Sequence, residues 1–156
     1  TNPPLKLVSP AVSTDGLNDA GISHWLDQFL GNCSIVPGCD PSLISHIAFH
    51  DYTGSPERIL ARAEGMAKRY NRSVWITEFA VLKWSCNMCN VTRDMVDSYM
   101  QKVLPMLEAS PAVHRYAWFS ARNAPVPNVA CSNLLPCNTS STVPTSTGKI
   151  YMQDPP

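Results

Sequence analysis

The sequence predicts an α/β protein: parallel strands covered by helices. Two patterns carry that reading. Short, nearly continuous apolar segments alternate with stretches whose apolar residues recur at helical spacing. The apolar segments lack a polar face, as strands buried on both sides do. The order reads βα, βα, βα, β and then a tail, which implies a parallel sheet with helices outside.

The elements follow in turn. Leu5 to Pro10 reads as a short buried strand ending at a proline. Ile22, Trp25, Leu26 and Phe29 then recur at helical spacing, and Gly31 stands where a helix stop is expected. Ile44 to Tyr52 is the second strand. Ser55 and Pro56 form an N-cap and first-turn pair for a helix reaching Tyr70. Its face is Ile59, Leu60, Ala63, Met66, Ala67 and Tyr70. The stretch 73–84, "SVWITEFAVLKW", is the third strand. Thr92 caps a third helix with the face Val96, Tyr99, Met100, Val103 and Leu107. Pro105 falls inside it and is expected to kink or shorten it. Residues 114–121, "HRYAWFSA", form the fourth strand. From 123 to 156 the chain is rich in Pro, Ser, Thr and Asn and reads as irregular covering structure. The whole is one domain, with no internal repeat. An open four-strand sheet leaves two bare edges.

Composition narrows the function. The chain has 156 residues, of which 44% are hydrophobic, so it is long enough and apolar enough for a core. Charged residues make up only 15%, against roughly a quarter in a typical domain. Twelve basic residues balance twelve acidic ones, so no general attraction to nucleic acid follows. No apolar run approaches the ~20 residues of a membrane span. The first residue is Thr1 and no signal-peptide pattern follows, so the expectation is a processed product or a fragment of a longer precursor.

The six cysteines fall into three local couples: Cys33 with Cys39, Cys86 with Cys89, and Cys131 with Cys137. Six cysteines allow about 15 pairings. Local disulfides are expected, because each couple lies in a stretch of loop character. A zinc site at Cys86 and Cys89 would need a second ligand pair, which Cys131 and Cys137 do not resemble. Four N-x-S/T sequons begin at Asn32, Asn71, Asn90 and Asn138. In a low-charge chain with an even cysteine count they point to a secreted or cell-surface glycoprotein.

In such folds ligands bind at the carboxyl ends of the strands. The residues there are Ser9 and Ser13, His50, Asp51 and Tyr52, Glu78, and Trp118, Ser120 and Arg122. Only Asp51 and Glu78 among the acids lie at strand ends. A carboxylate, a histidine, a tyrosine and a tryptophan at one rim suit carbohydrate chemistry. The carboxylate attacks or protonates at the anomeric centre, and aromatic faces stack on sugar rings. His50 and Trp118 each have a plain core reading beside the functional one. Glu78 is harder to dismiss, because a charge within an apolar strand is costly unless it is paired or lies at a polar rim. Nothing calls for a metal or an organic cofactor.

The ordered segments "LKLVSPAVS", "WLDQFL", "HIAFHDY", "VWITEFA" and "RYAWFSAR", with the tail "SNLL…TSTGKIY", resemble the Asl1-like glycoside hydrolase catalytic domain. That is glycoside hydrolase family 128, retaining β-1,3-glucanases of the TIM-barrel clan. The resemblance covers nearly the whole chain and implies the C-terminal half of a (β/α)₈ barrel, its last four strands. It implies that Glu78 is the catalytic nucleophile, that His50 and Tyr52 contact substrate or orient that nucleophile, and that Trp118 lines the sugar site. The family's acid/base glutamate sits in an Asn-Glu-Pro motif, which this chain lacks. Retaining hydrolysis needs two carboxyls roughly 5 Å apart, so the chain alone is not expected to be competent. Asp51 is the second candidate that the sequence offers. Two expectations stand side by side. One is half of an extracellular β-glucanase, completed by an upstream half or a second chain. The other is a catalytically inactive glycoprotein, with a structural, self-associating or carbohydrate-binding role.

Overall fold

The computed structural model describes residues 5–13, 18–81, 91–122, 132–137 and 140–153. Four parallel strands, β1 (Leu7–Val8), β2 (Ile44–Asp51), β3 (Ser73–Phe79) and β4 (Val113–Trp118), lie in the order β1-β2-β3-β4. The helices α1 (Asp19–Cys33), α2 (Pro56–Tyr70) and α3 (Arg93–Ala109) join consecutive strands, and α4 (Ser146–Tyr151) follows β4. The result is a half-barrel with helices on its outer side.

β1 is shorter than its sequence predicts because Pro10 has no N–H to give the ladder. The Ser9 side chain takes over there. Its amide donates to His46 O at 2.9 Å, and its hydroxyl accepts from the Ala48 amide at 2.9 Å. The pairing resumes at Val12, which bridges to Phe49.

α1 starts where the Asn18 side chain accepts from the Gly21 amide. It runs past Gly31 to Cys33. Gly31 has no positive φ, so it gives no helix-ending turn. Ser34 caps the end instead, donating from its hydroxyl to Gly31 O, and a Cys33–Cys39 disulfide closes the loop that follows. Ile22 and Leu26 are buried as expected. Trp25 is 41% exposed and stacks on Phe29 rather than entering the core.

α2 begins at the Ser55 cap and ends at Asn71 in a left-handed conformation. α3 begins at the Thr92 cap. It continues through Pro105 to Ala109. Pro105 is exposed, so the carbonyl it leaves unpaired faces water. The core lies between sheet and helices: Ile47, Phe49, Val74, Ile76 and Phe79 pack with Ile59, Ala63, Met66, Val96, Met100, Val103 and Leu107.

The tail, expected to be irregular, contains the six-residue helix α4, with Thr145 as its N-cap. Polar groups bind it to α3. Arg93 donates to Asn133 O at 2.9 Å and to Thr147 Oγ1 at 2.8 Å, and Thr147 donates to Asp97. Leu134 and Leu135 donate backbone bonds to Ser120 and Ala121, which fixes the chain leaving β4.

Cys137 is a free thiol that accepts from the Asn133 side-chain amide. Its expected partner Cys131 lies outside the described residues, as do Cys86, Cys89, Asn90 and Asn138. Asn32 and Asn71 are both exposed. Among the described residues no helix is long and apolar enough to cross a membrane, and no cluster of His, Cys, Asp and Glu could hold a metal ion.

Candidate active site

Strands alternate their side chains between two faces. In β3, Val74 and Ile76 face the helices. Strict alternation would send Glu78 the same way, into the core. The pairing prevents this. Phe49 pairs with Ile76 but His50 pairs with Glu78, so Thr77 is an extra residue in β3. The other side agrees: Ile76 pairs with Tyr116 and Phe79 with Trp118, three β3 residues spanning the distance of two in β4. A bulge of this kind re-aims the side chains beyond it. Here it turns Phe79 into the core, fully buried, and Glu78 to the inner rim beside His50.

At the rim, Tyr52 donates its phenol to Glu78 Oε2. His50 Nδ1 stands 3.4 Å from the same oxygen. The Glu78 side chain is 35% exposed and that of His50 22%, so the group is open to a ligand. The three residues named from the sequence thus come together around one carboxylate oxygen.

Trp118 does not join them, which corrects the expectation that it lines the sugar site. It is 7% exposed, packs edge-to-face on Phe79 with centroids 5.0 Å apart, and donates its indole N–H to Ser132 O at 2.6 Å. Tyr116 and Trp118 share the helix side of β4. The aromatic that β4 delivers to the rim is Phe119, half-buried, edge-on to Tyr52 at 5.9 Å. The parity of Tyr116 and Trp118 was the available signal, but parity alone does not say which face is which.

Asp51 is no second catalytic carboxyl. It is fully buried on the helix side. One oxygen accepts from the Thr53 amide at 2.9 Å and the Thr53 hydroxyl at 2.7 Å. The other accepts from the Arg62 guanidinium, whose Nε donates to Asp19 at 2.5 Å. Ser9 is spent on the ladder, and Arg122 donates to Ser141 O at 2.7 Å.

Parallel strands wrapped by helices, with an acid re-aimed to the carboxyl-end rim, define half of a (β/α) barrel with a polar group where such folds bind ligands. The chain belongs to the family described as the glycosyl hydrolase catalytic core, whose model matches residues 2–151. No curated protein matches. Solved structures do. A family 128 (subgroup I) endo-β-1,3-glucanase from Amycolatopsis mediterranei, in complex with laminarihexaose, matches with a TM-score of 0.72 at 24% identity over 94% of this chain. A subgroup II endo-β-1,3-glucanase from Pseudomonas viridiflava matches at 0.69 and 30% identity over 97%. A subgroup III curdlan-specific exo-β-1,3-glucanase from Blastomyces gilchristii, in complex with glucose, matches at 0.65 and 24% over 96%. The chain spans only 57%, 56% and 54% of these neighbours' own lengths.

Proposed function

We propose that this chain carries the nucleophile half of a retaining β-1,3-glucan hydrolase, with Glu78 as nucleophile. The carrying observation is the convergence of Tyr52 and His50 on Oε2 of a rim carboxylate. Held through that oxygen, Glu78 attacks the anomeric carbon with Oε1. The glycosidic C–O bond breaks, and the departing oxygen takes a proton from an acid. Water then cleaves the glycosyl ester, giving its proton to the same group, now a base. That acid/base belongs to barrel strands outside these 156 residues, on the same protein or on a second chain, since Asp51 is committed to Arg62. The Cys33–Cys39 disulfide and the exposed sequon residues Asn32 and Asn71 support action in an oxidising place, outside the cell or at its wall.

The test removes the need for the acid. From a dinitrophenyl 2-fluoro laminaribioside the dinitrophenolate departs unaided, and the fluorinated glycosyl group stays on the nucleophile as a trapped ester. The protein is expected to gain one glycosyl mass on the peptide containing Glu78, and Glu78→Gln to gain none. A label elsewhere, or equal labelling of the variant, overturns the assignment. A second reading, assembly without catalysis, is favoured by the open β1 edge, where Leu5 is 89% and Leu7 45% exposed. A protein that binds laminarin oligomers or self-associates, yet is never labelled, supports it.

A further inference from the structure

We propose that Asp51 is a positioning residue for the nucleophile, acting through Tyr52; the proposal rests on the reading of Glu78 above. Asp51 stands between the two residues that address Glu78. His50 and Tyr52 turn to the inner rim, while Asp51 turns the opposite way, into the helix layer. A carboxylate buried this completely costs several kcal/mol unless it is well paired, and replacing such a pair with apolar residues is often neutral or stabilising. Its place here is better explained by what it holds in register than by what it adds to stability.

It holds the turn that carries Tyr52. Its side chain ties the amide and the hydroxyl of Thr53, one residue beyond Tyr52. Its second oxygen is anchored through the buried Arg62 to α2, and from there to Asp19 at the start of α1. Its backbone carbonyl accepts from the Ala80 amide at 3.2 Å, two residues past Glu78. Thr53 also bridges to Val81. The backbone on both sides of Tyr52 is therefore tied either to the helix layer or to the strand that bears Glu78. The Tyr52 phenol donates to Oε2 of Glu78. That hydrogen bond orients the carboxylate for attack. Released from the turn, Tyr52 would withdraw that support without any change in Glu78 itself.

The test is a double-mutant cycle, read by the maximal rate of labelling with the fluorinated laminaribioside and by the concentration that half-saturates it. Asp51→Asn is expected to slow maximal labelling roughly tenfold, the worth of one hydrogen bond to a charged group, and to leave the half-saturating concentration unchanged. Tyr52→Phe is expected to do the same. In the Tyr52→Phe background, Asp51→Asn is expected to add nothing, since the two act through one bond. Thr53→Val keeps the Arg62 pair and removes one tie. It is expected to show a smaller effect of the same sign with an unchanged melting temperature, so it carries the cycle if Asp51→Asn does not fold. Equal effects in both backgrounds overturn the proposal. So do folded variants with an unchanged maximal rate. If the unsubstituted protein is never labelled, the nucleophile reading fails instead. The positioning claim is then decided by the ¹³C chemical shift of the Glu78 carboxyl at a fixed pH: one shared, non-additive change in the Asp51 and Tyr52 variants upholds it, and no change overturns it.

Discussion

At the scale of single residues, position in the weave matters more than residue type. Two acids end adjacent strands, and they serve opposite purposes. Asp51 is enclosed and pinned by Arg62, while Glu78 meets water at the rim. Two aromatics follow each other at the end of β4. Trp118 fills the core and Phe119 borders the site. Gly148 gives a sharper case. A Cβ there would lie 2.2 Å from the Leu134 carbonyl oxygen, which is backbone and cannot swing aside. Gly148→Ala is therefore expected to lower stability by about 2–3 kcal/mol through overpacking, read as a lower midpoint in urea. Leu134 also donates to Ser120 O, so the disturbance reaches the end of β4.

At the scale of elements, the β3 bulge decides the site. Were Thr77 paired in a regular ladder instead of bulged, Glu78 would enter the helix layer, and Phe79, one of the largest buried side chains, would leave it. The bulge depends on both neighbours, β2 and β4, so it is absent from the pattern of β3 alone. Helix ends were easier to read. Ser55 with Pro56, and Thr92, stand where caps form because their side chains accept from the first-turn amides. Gly31 misled because a glycine ends a helix only where the chain takes up a positive φ. Pro105 misled because its cost falls on an exposed carbonyl. Pro105→Ala restores one helical hydrogen bond, partly offset by a freer unfolded chain. It is expected to raise stability by about 1–2 kcal/mol, seen as a higher melting temperature.

At the scale of the whole molecule, the open inner face of the half-barrel carries a charge-sensitive cluster. The rings of His46 and His114 stack with centroids 4.4 Å apart. Trp75 donates its indole N–H to His114, His46 Nδ1 bonds the Ser73 hydroxyl, and the Arg115 guanidinium lies over Trp75. Burial, then the neighbouring His114, then Lys6 push the His46 imidazole below its ordinary value of 6.5. Below pH 6.5 the unfolded chain therefore binds a proton that the folded one resists, and stability falls as pH drops from there toward the folded value. The melting temperature is expected to fall between pH 7.5 and 5.5, and to fall less in His46→Gln. An equal fall in both proteins would remove His46 from the account.

The sequence by itself determined the α/β alternation, the apolar faces of α2 and α3, their caps, and the placing of His50, Tyr52 and Glu78 at the ends of two strands. These follow from local spacing, from which residues favour strands or caps, and from the order of the motifs. Tertiary structure alone decided the rest. Which side of a strand faces the helices is set by its pairing, and one unpaired residue reverses every side chain beyond it. That is why Trp118 went inward, Phe119 took its place, Asp51 was enclosed against Arg62, and Glu78 reached the rim.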